Sequence, residues 1–300
     1  MLNAAAMFWV AFAVSAFLAY PCLQMLRALN SVSETYEFAP ETHKKKAGTP
    51  NMGGIFVLIG VLASVVAFDS GLALPQILLI LGFGIIGFVD DHLMKRLTGK
   101  RGLSWRVKLV LQFAIGIAFA AYFRFTSKAM LDAFIIITFA NAYNFADGLD
   151  GLAASILIAL LIPFVVAVHL GFGTDPRMAP VILGLLGAIL PFLAMNAPPA
   201  KLFMGDVGAL PIGALFGMIL VQSPYTDHVW PWVTTVLLLV ELCMVPIQVI
   251  AVKTIKRRVF ASTPVHHAFE AKGWPETRIV WCFFLFQILL SSIALTVMIR

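Results

Sequence analysis

Apolar runs about as long as a membrane is thick recur from one end of the chain to the other. Each is close to the roughly 20 residues that a helix needs to cross about 30 Å of hydrocarbon. Of the 300 residues 61% are hydrophobic and 12% are charged, whereas a soluble domain is about half apolar and about a quarter charged. The sequence therefore predicts an all-α, polytopic integral membrane protein, organised as a single transmembrane domain over residues 1–300.

We predict ten transmembrane helices. Their approximate ranges are 4–29, 52–68, 72–89, 105–123, 130–143, 149–170, 179–195, 204–221, 229–252 and 279–299. The fifth is short, and the sixth follows it almost directly. An even number of spans places both termini on the same side of the membrane.

The distribution of Lys and Arg indicates which side that is, because basic residues are concentrated in cytoplasmic loops. Of the 21 basic residues, only Arg124, Lys128, Arg177 and Arg300 lie in or beside the loops that follow even-numbered spans. We therefore predict external termini and cytoplasmic loops at about 30–51, 90–104, 144–150, 196–206 and 253–278. The net charge of +6 follows from this topology and from contact with anionic membrane lipids, so no nucleic-acid partner is expected.

Five aspartates lie on the predicted cytoplasmic side, namely Asp90, Asp91, Asp147, Asp150 and Asp206. Ionisable groups near membrane depth are costly and are functional candidates by default. Asp90 and Asp91 are adjacent at the end of the third span, where their mutual repulsion and the helix dipole both disfavour two anions. A solvated helix end is the alternative, but a divalent cation or a basic substrate group would resolve the repulsion.

The segment from Asn141 to Gly151 places two amides and two carboxylates between apolar runs. Asp147 and Asp150 are three residues apart and would share a face if the segment were helical. A simple Asp-Gly loop between two spans would explain the glycines. It would not explain Asn141 and Asn144 at membrane depth, which favours a functional site.

The segment from Asn196 to Gly208 is a short loop that enters a helix. Asp206 could serve there as a helix cap. Its neighbours Lys201, Asn196 and two glycines favour a metal or diphosphate site, and Mg²⁺ prefers a few carboxylates together with phosphate oxygens.

The last predicted cytoplasmic loop carries His266, His267, Glu270 and Lys272. Zinc binding is one interpretation, although the loop has no Cys and no spaced third His, and phosphate binding by the imidazoles and Lys272 fits as well. Carboxylates to hold a cation, beside Lys, Arg and His to hold phosphates, indicate phosphoryl-group transfer.

Taken together, these motifs resemble the polyprenyl-phosphate N-acetylhexosamine-1-phosphate transferases. Five stretches carry the resemblance in the family's order: 43–54, 87–91, 141–153, 196–208 and 264–275. Two positions depart from the family pattern. Ala268 stands where a third consecutive histidine is usual, and Asn51 stands where a threonine is usual.

The resemblance implies a Mg²⁺-dependent enzyme of the bacterial inner membrane with its active site on the cytoplasmic face. Its closest branch takes UDP-N-acetylmuramoyl-pentapeptide as donor and undecaprenyl phosphate as acceptor, in peptidoglycan synthesis. It commonly forms homodimers. The alternatives are a related enzyme that uses UDP-N-acetylglucosamine with the same lipid and, from a different class, an ion-coupled transporter with intramembrane acids.

The resemblance also implies roles for individual residues. The expected catalytic residues are Asp90, as base or orienter of the lipid phosphate, Asp91, Asp206, as Mg²⁺ ligand, and His266. The expected substrate-binding residues are Lys46, Asn141, Asn144, Asp147, Asp150, Asn196, Phe203, which would offer its ring to the nucleotide base, and His267.

Overall fold

A computed structural model describes residues 2–29, 31–32, 46, 48–68, 71–98, 102–123 and 126–300. The described residues form helices and connecting turns, with one isolated β-bridge between Val32 and Pro50. The all-α class is thus confirmed. His43, Lys44 and Lys45, which begin the first matching motif, lie outside the described residues.

Twelve α-helices lie within these described ranges, numbered here in chain order. They are α1 Leu2–Ala28, α2 Gly54–Ala67, α3 Ala73–Phe88, α4 Met94–Thr98, α5 Trp105–Tyr122, α6 Ser127–Ala146, α7 Leu152–Leu170, α8 Ala179–Asn196, α9 Asp206–Val221, α10 Trp230–Thr254, α11 Val265–Glu270 and α12 Glu276–Ile299. A π-helical turn over Val89–Leu93 joins α3 to α4, and a 3₁₀ turn over Pro176–Met178 precedes α8.

Eight of the helices in the described part of the chain are long and apolar enough to cross a membrane, while α2 and α9 are shorter apolar helices. The polytopic class is therefore supported by length and composition. The number of ten spans and the external position of the termini stay predictions.

Helix α9 is the centre of the bundle, with every residue from Val207 to Val221 buried. It packs against α3 and α6, and also contacts α2. Helices α1, α2 and α8 pack together on one flank, and α7, α10 and α12 pack on the other. Because α9 is surrounded by other helices, several of them together position the side chains at its N-terminus.

Two details of the sequence prediction are wrong around α6. The helix has 20 residues and ends at Ala146, whereas we predicted a span from Met130 to Tyr143 and a loop from residue 144. Asp147 and Asp150 do not share a helical face, because residues 147–151 form a turn that ends with Gly151 at φ 78°. The predicted span ended too early because it was defined by apolar residues, and the last turn of this helix carries the polar Asn141 and Asn144.

Candidate active site

Lys108 joins two of the predicted aspartates, which lie at the ends of different helices. Its Nζ donates hydrogen bonds to Oδ2 of Asp90 at 2.9 Å and to Oδ2 of Asp206 at 2.5 Å. The second oxygen of Asp206 accepts from Nδ2 of Asn144 at 2.7 Å, and that of Asp90 accepts from the backbone N of Leu103 at 2.6 Å. One ammonium group therefore faces two carboxylates where α3, α5, α6 and α9 converge.

Asp91 binds the N-terminus of α9 from a different direction. Its Oδ2 accepts from the backbone N of Val207 at 3.0 Å, and its Oδ1 accepts from Nδ2 of Asn51 at 3.1 Å. The α9 dipole favours negative charge at this end. The approach is possible because Gly87 has no side chain: a Cβ there would lie 2.3 Å from the carbonyl of Asp206.

Asp147 lies in the turn after α6, and its carboxylate accepts no hydrogen bond from any residue that the structure describes. Although part of its surface stays open, the pKa of Asp147 is raised to about 7, mainly by burial and then by the negative charges of Asp206, Asp91 and Asp150. The turn thus holds a carboxylate with no compensating cation among the described residues, beside the Asp90–Asp206 pair that Lys108 bridges.

Lys46 and Asp150 lie on the other side of the same turn. Nζ of Lys46 donates to Asp150 Oδ1 at 2.6 Å and to Glu276 Oε1 at 2.5 Å. Glu276 Oε1 also accepts from the backbone N of Asp150 at 2.7 Å, and Asp150 Oδ2 accepts from the backbone N of Ala200 at 2.9 Å. Burial lowers the pKa of Lys46, but its hydrogen bonds to the two carboxylates outweigh burial and raise it overall. Lys46 is therefore held as a cation that ties the turn to α12.

Asn196 also supports this turn, since its Oδ1 accepts from the backbone N of Gly151 at 2.8 Å. Its Nδ2 donates to the carbonyl of Leu202 at 2.9 Å, which fixes the loop that leads into α9. Phe203 follows in that loop with a partly exposed side chain. Asn141 lies one turn before Asn144 and donates to Gln112 Oε1 on α5 at 2.7 Å.

His266 packs behind the turn and is fully buried. Its Nδ1 lies 3.1 Å from Oε2 of Glu241 on α10, which is also fully buried. Its Nε2 has no hydrogen-bond partner and points at Gly148, where a Cβ would lie 2.2 Å from that atom. His267 is partly exposed and its Nδ1 lies 2.6 Å from Glu270 Oε2.

Comparison with known proteins identifies the family. The model for glycosyl transferase family 4 matches residues 74–224, a range that includes Asp90, Lys108, Asp147 and Asp206. The chain belongs to glycosyl transferase family 4.

Curated relatives of this family 4 transferase match it over nearly its whole length. Three of them are named phospho-N-acetylmuramoyl-pentapeptide-transferase. The one from Campylobacter curvus is 34% identical over 96% of this chain and 92% of its own. The one from Moorella thermoacetica is 35% identical over 93% of each chain, and that from Acetivibrio thermocellus is 33% identical over 94% of this chain and 92% of its own.

The structure brings the sequence-predicted residues of the family 4 transferase together at one end of the bundle. Asp90, Asp206 and Asn144 share the hydrogen bonds around Lys108, and Asp91 binds the same end of α9. Asp147, Asp150 and Lys46 occupy or hold the adjoining turn, and His266 supports it from behind. Asn141 lies apart, paired with Gln112 in the wall between α5 and α6.

Three residues at this site were missed by sequence reasoning: Lys108, Glu241 and Glu276. Lys108 and Glu241 are ionisable residues inside predicted spans, and that position alone marks functional candidates. Lys108 was overlooked because it was counted with the flanking basic residues of its loop. Glu276 carries no local sequence signal, since its contact with Lys46 joins positions 230 residues apart.

The residue types at the site fit a divalent cation. Among the described residues no group of three His, Cys, Asp or Glu side chains forms a preassembled metal cage. Mg²⁺ does not require one, because it is commonly bound by one or two carboxylates and by substrate phosphates. Asp147, which accepts no hydrogen bond from the residues that the structure describes, and Asp206, at an adjacent helix terminus, would supply those carboxylates. A phosphotransferase of this family therefore has suitable ligands for such an ion.

Proposed function

We propose that the protein transfers phospho-N-acetylmuramoyl-pentapeptide from its UDP-linked donor to undecaprenyl phosphate. The products are undecaprenyl-diphospho-N-acetylmuramoyl-pentapeptide, the first lipid-linked intermediate of peptidoglycan, and UMP. The names of the three relatives support phospho-N-acetylmuramoyl-pentapeptide as the group transferred. The contact of Lys108 with Asp90 and Asp206 is the observation on which the site assignment depends, because it provides a cation between two carboxylates for the two phosphates of the proposed reaction.

In this reaction an oxygen of the lipid phosphate attacks the sugar-linked phosphorus, and the bond from that phosphorus to the bridging oxygen of UMP breaks. The second pKa of a phosphomonoester is about 6, so the attacking phosphate is already largely ionised at neutral pH. Asp90 therefore acts mainly to orient it, by way of Lys108. Both oxygens of Asp90 accept hydrogen bonds, from Leu103 and Lys108, which favours direct attack over a covalent aspartyl intermediate.

Charge neutralisation is the main catalytic task in phosphoryl transfer. Lys108 would compensate the lipid phosphate once substrates bind, and the positive end of the α9 dipole faces the diphosphate. Asp206 and Asp147 would hold Mg²⁺, which when bound supplies further compensation of the diphosphate charge. Their carboxylates and the diphosphate together provide the oxygen ligands that this ion prefers.

The nucleotide side of the site lies along the turn after α6 and the loop before α9. Asn144 and Asp147 contact the donor there, and the partly exposed ring of Phe203 stacks on the base. His267 contacts the sugar or its phosphate. The hydrogen bonds of Asp150, Asn196, Asn141 and His266 support positioning roles, because each binds another part of the protein.

The distribution of basic residues supports a site on the cytoplasmic face of a bacterial inner membrane. A transporter is disfavoured, because the aspartates cluster at one end of the bundle instead of lying along a path through it. The homodimer stays a prediction from the family resemblance.

The direct test is transfer of labelled sugar phosphate in detergent or vesicles. Purified protein with UDP-N-acetylmuramoyl-pentapeptide, undecaprenyl phosphate and Mg²⁺ should form labelled lipid and release UMP. UDP-N-acetylglucosamine, offered in competition, should give little product. Preference for that sugar would overturn the donor assignment, and activity unchanged by EDTA would overturn the role of the cation.

A further inference from the structure

The end of α10 and the loop that follows it enclose a pocket outside the site described above. Its volume is about 390 Å³, and its polar lining residues are Gln248, Lys253, Arg258, Ser262 and Thr263. Gln248 and Lys253 come from the helix, whereas the other three come from the returning loop. Two cations and two hydroxyl groups thus converge on one cavity.

Hydrogen bonds from a single glutamine hold this pocket in shape. Gln248 on α10 accepts from the backbone N of Val259 and of Phe260, both at 3.0 Å. Its Nε2 donates to the carbonyl of Phe260 at 3.1 Å. The loop is therefore fixed against the helix without any ligand, and the two basic residues are brought together in advance.

The charge of this region is unbalanced. Lys253, Lys256, Arg257 and Arg258 are all exposed, and the sequence has no acidic residue between Glu241 and Glu270. Neither Lys253 nor Arg258 has a hydrogen-bond or ion-pair partner among the described residues. Electrostatics therefore favour an anionic ligand in the pocket.

The surroundings of the pocket are apolar and lie at the end of a candidate membrane span, Trp230–Thr254. Val249 and Val252 line the pocket itself, and Ile250, Ile255 and Val259 beside it are exposed. A basic cluster that directly follows a span is typical of sites for anionic lipid headgroups. The exposed aliphatic surface would receive an acyl chain.

We propose that this pocket binds the phosphate of an anionic phospholipid such as phosphatidylglycerol. The headgroup phosphate lies between Lys253 and Arg258 and accepts from the hydroxyl groups of Ser262 and Thr263. Because Thr263 leads directly into α11, bound lipid stabilises the segment that carries His266. None of the residues that line the pocket belongs to the candidate active site, and the proposal does not depend on which sugar the enzyme transfers.

The test compares Lys253→Gln/Arg258→Gln with Arg106→Gln/Lys201→Gln, which removes two exposed charges elsewhere on the protein. Each purified protein is placed in neutral phosphatidylcholine nanodiscs with increasing phosphatidylglycerol. Bound lipid is counted by native mass spectrometry, and the thermal midpoint is followed. Wild type and the control double variant should retain one phosphatidylglycerol. The affinity of the pocket double variant for this lipid should be lower by a factor of roughly ten or more.

A charge-conserving variant, Lys253→Arg/Arg258→Lys, should retain the lipid and shows that loss in the glutamine variant is due to charge. Equal retention by the two glutamine variants would overturn the proposal in favour of general surface attraction. If undecaprenyl phosphate replaced the bound phosphatidylglycerol, and excess phosphatidylglycerol did not reverse the exchange, the proposal would be overturned. The pocket would then be a second binding site for the acceptor lipid. The thermal midpoints in neutral lipid report whether each variant is folded.

Discussion

Among the single residues of the active site, Lys108 is the cation that lies between Asp90 and Asp206. It contributes one positive charge to a pair of carboxylates that would otherwise repel each other across two helices. When both substrates bind, at least two more anionic groups enter this space, so Lys108 is required both for the folded site and for the reaction.

We expect Lys108→Gln to lower the transfer rate by at least about 100-fold, the usual scale for loss of a preorganised charge at the reacting atoms. Arg106→Gln is the matched control, because it removes an exposed positive charge from the same helix, two residues before Lys108. Rates are measured with the lipid-transfer assay, and thermal unfolding shows whether either protein is destabilised. A control-like rate in Lys108→Gln would remove this residue from the mechanism.

The raised pKa of Asp147 should make the free energy of unfolding depend on pH. Its pKa is raised to about 7 in the folded protein, first by burial and then by neighbouring carboxylates, while the unfolded value is about 3.9. Between these values the folded protein binds more protons than the unfolded chain, so stability falls as pH rises from about 4 through about 7. Asp147→Asn should remove this loss.

The measurement is the thermal midpoint of wild type and Asp147→Asn in detergent between pH 5 and pH 8. As pH rises, the thermal midpoint of the variant should increase relative to that of wild type, by on the order of 2 °C or more. Added Mg²⁺ at pH 8 should stabilise wild type more than the variant. Parallel pH curves would show that Asp147 has an ordinary pKa.

Among the helices and turns, the one that most needs explanation is the turn at 147–151. It is held by Asn196, by the Lys46–Glu276 pair and by α11. These contacts come from segments distant in the chain, so the sequence could not reveal them. The sequence did mark Asp147 and Asp150 as candidate site residues, because carboxylates between two apolar runs are rare.

Asn51 stands where the family usually has a threonine, and the structure accommodates this departure, because the side chain of Asn51 donates a hydrogen bond to Asp91.

Gly148→Ala tests the contact between this turn and α11. The added Cβ would overlap Nε2 of His266, and overpacking of this kind costs about 1–3 kcal/mol. We expect a lower thermal midpoint and loss of transfer. In a His266→Ala background, which already lacks the contact between His266 and the buried Glu241, Gly148→Ala should lower the midpoint little further, and activity should stay low.

Gly84→Ala is the control for the glycine substitution, because a Cβ added at Gly84 would have its nearest neighbours at 3.9 Å, an ordinary contact distance, and Gly84 is not in the left-handed region. If the effects of Gly148→Ala and His266→Ala on the midpoint were additive, the two residues would not be in contact.

For the whole molecule, apolar runs and basic loops predicted the class and most helix boundaries to within a few residues. This worked because spans are defined by length and hydropathy alone. The same pattern could not show that α9 is the centre of the bundle. A buried helix and a lipid-facing helix both consist of apolar residues, and only packing distinguishes them.

The predicted orientation can be tested with single cysteines in a background from which Cys22, Cys243 and Cys282 are removed. Lys272→Cys should react with an impermeant maleimide only in inside-out vesicles, and Arg177→Cys only in intact spheroplasts. Both residues are exposed in the structure, so access from the correct side should be unhindered. The reverse pattern would place the active site outside the cell.

The shortness of α9 has a consequence for how the two substrates meet. Its 16 residues span about 24 Å at 1.5 Å per residue, less than the roughly 30 Å of a hydrocarbon layer. If its far end reaches the opposite interface, Asp206 lies several ångströms below the level of the surrounding headgroups. The protein then forms a polar well in the bilayer surface. A water-soluble donor enters this well from above, while a lipid phosphate sinks into it sideways without leaving its chain's leaflet.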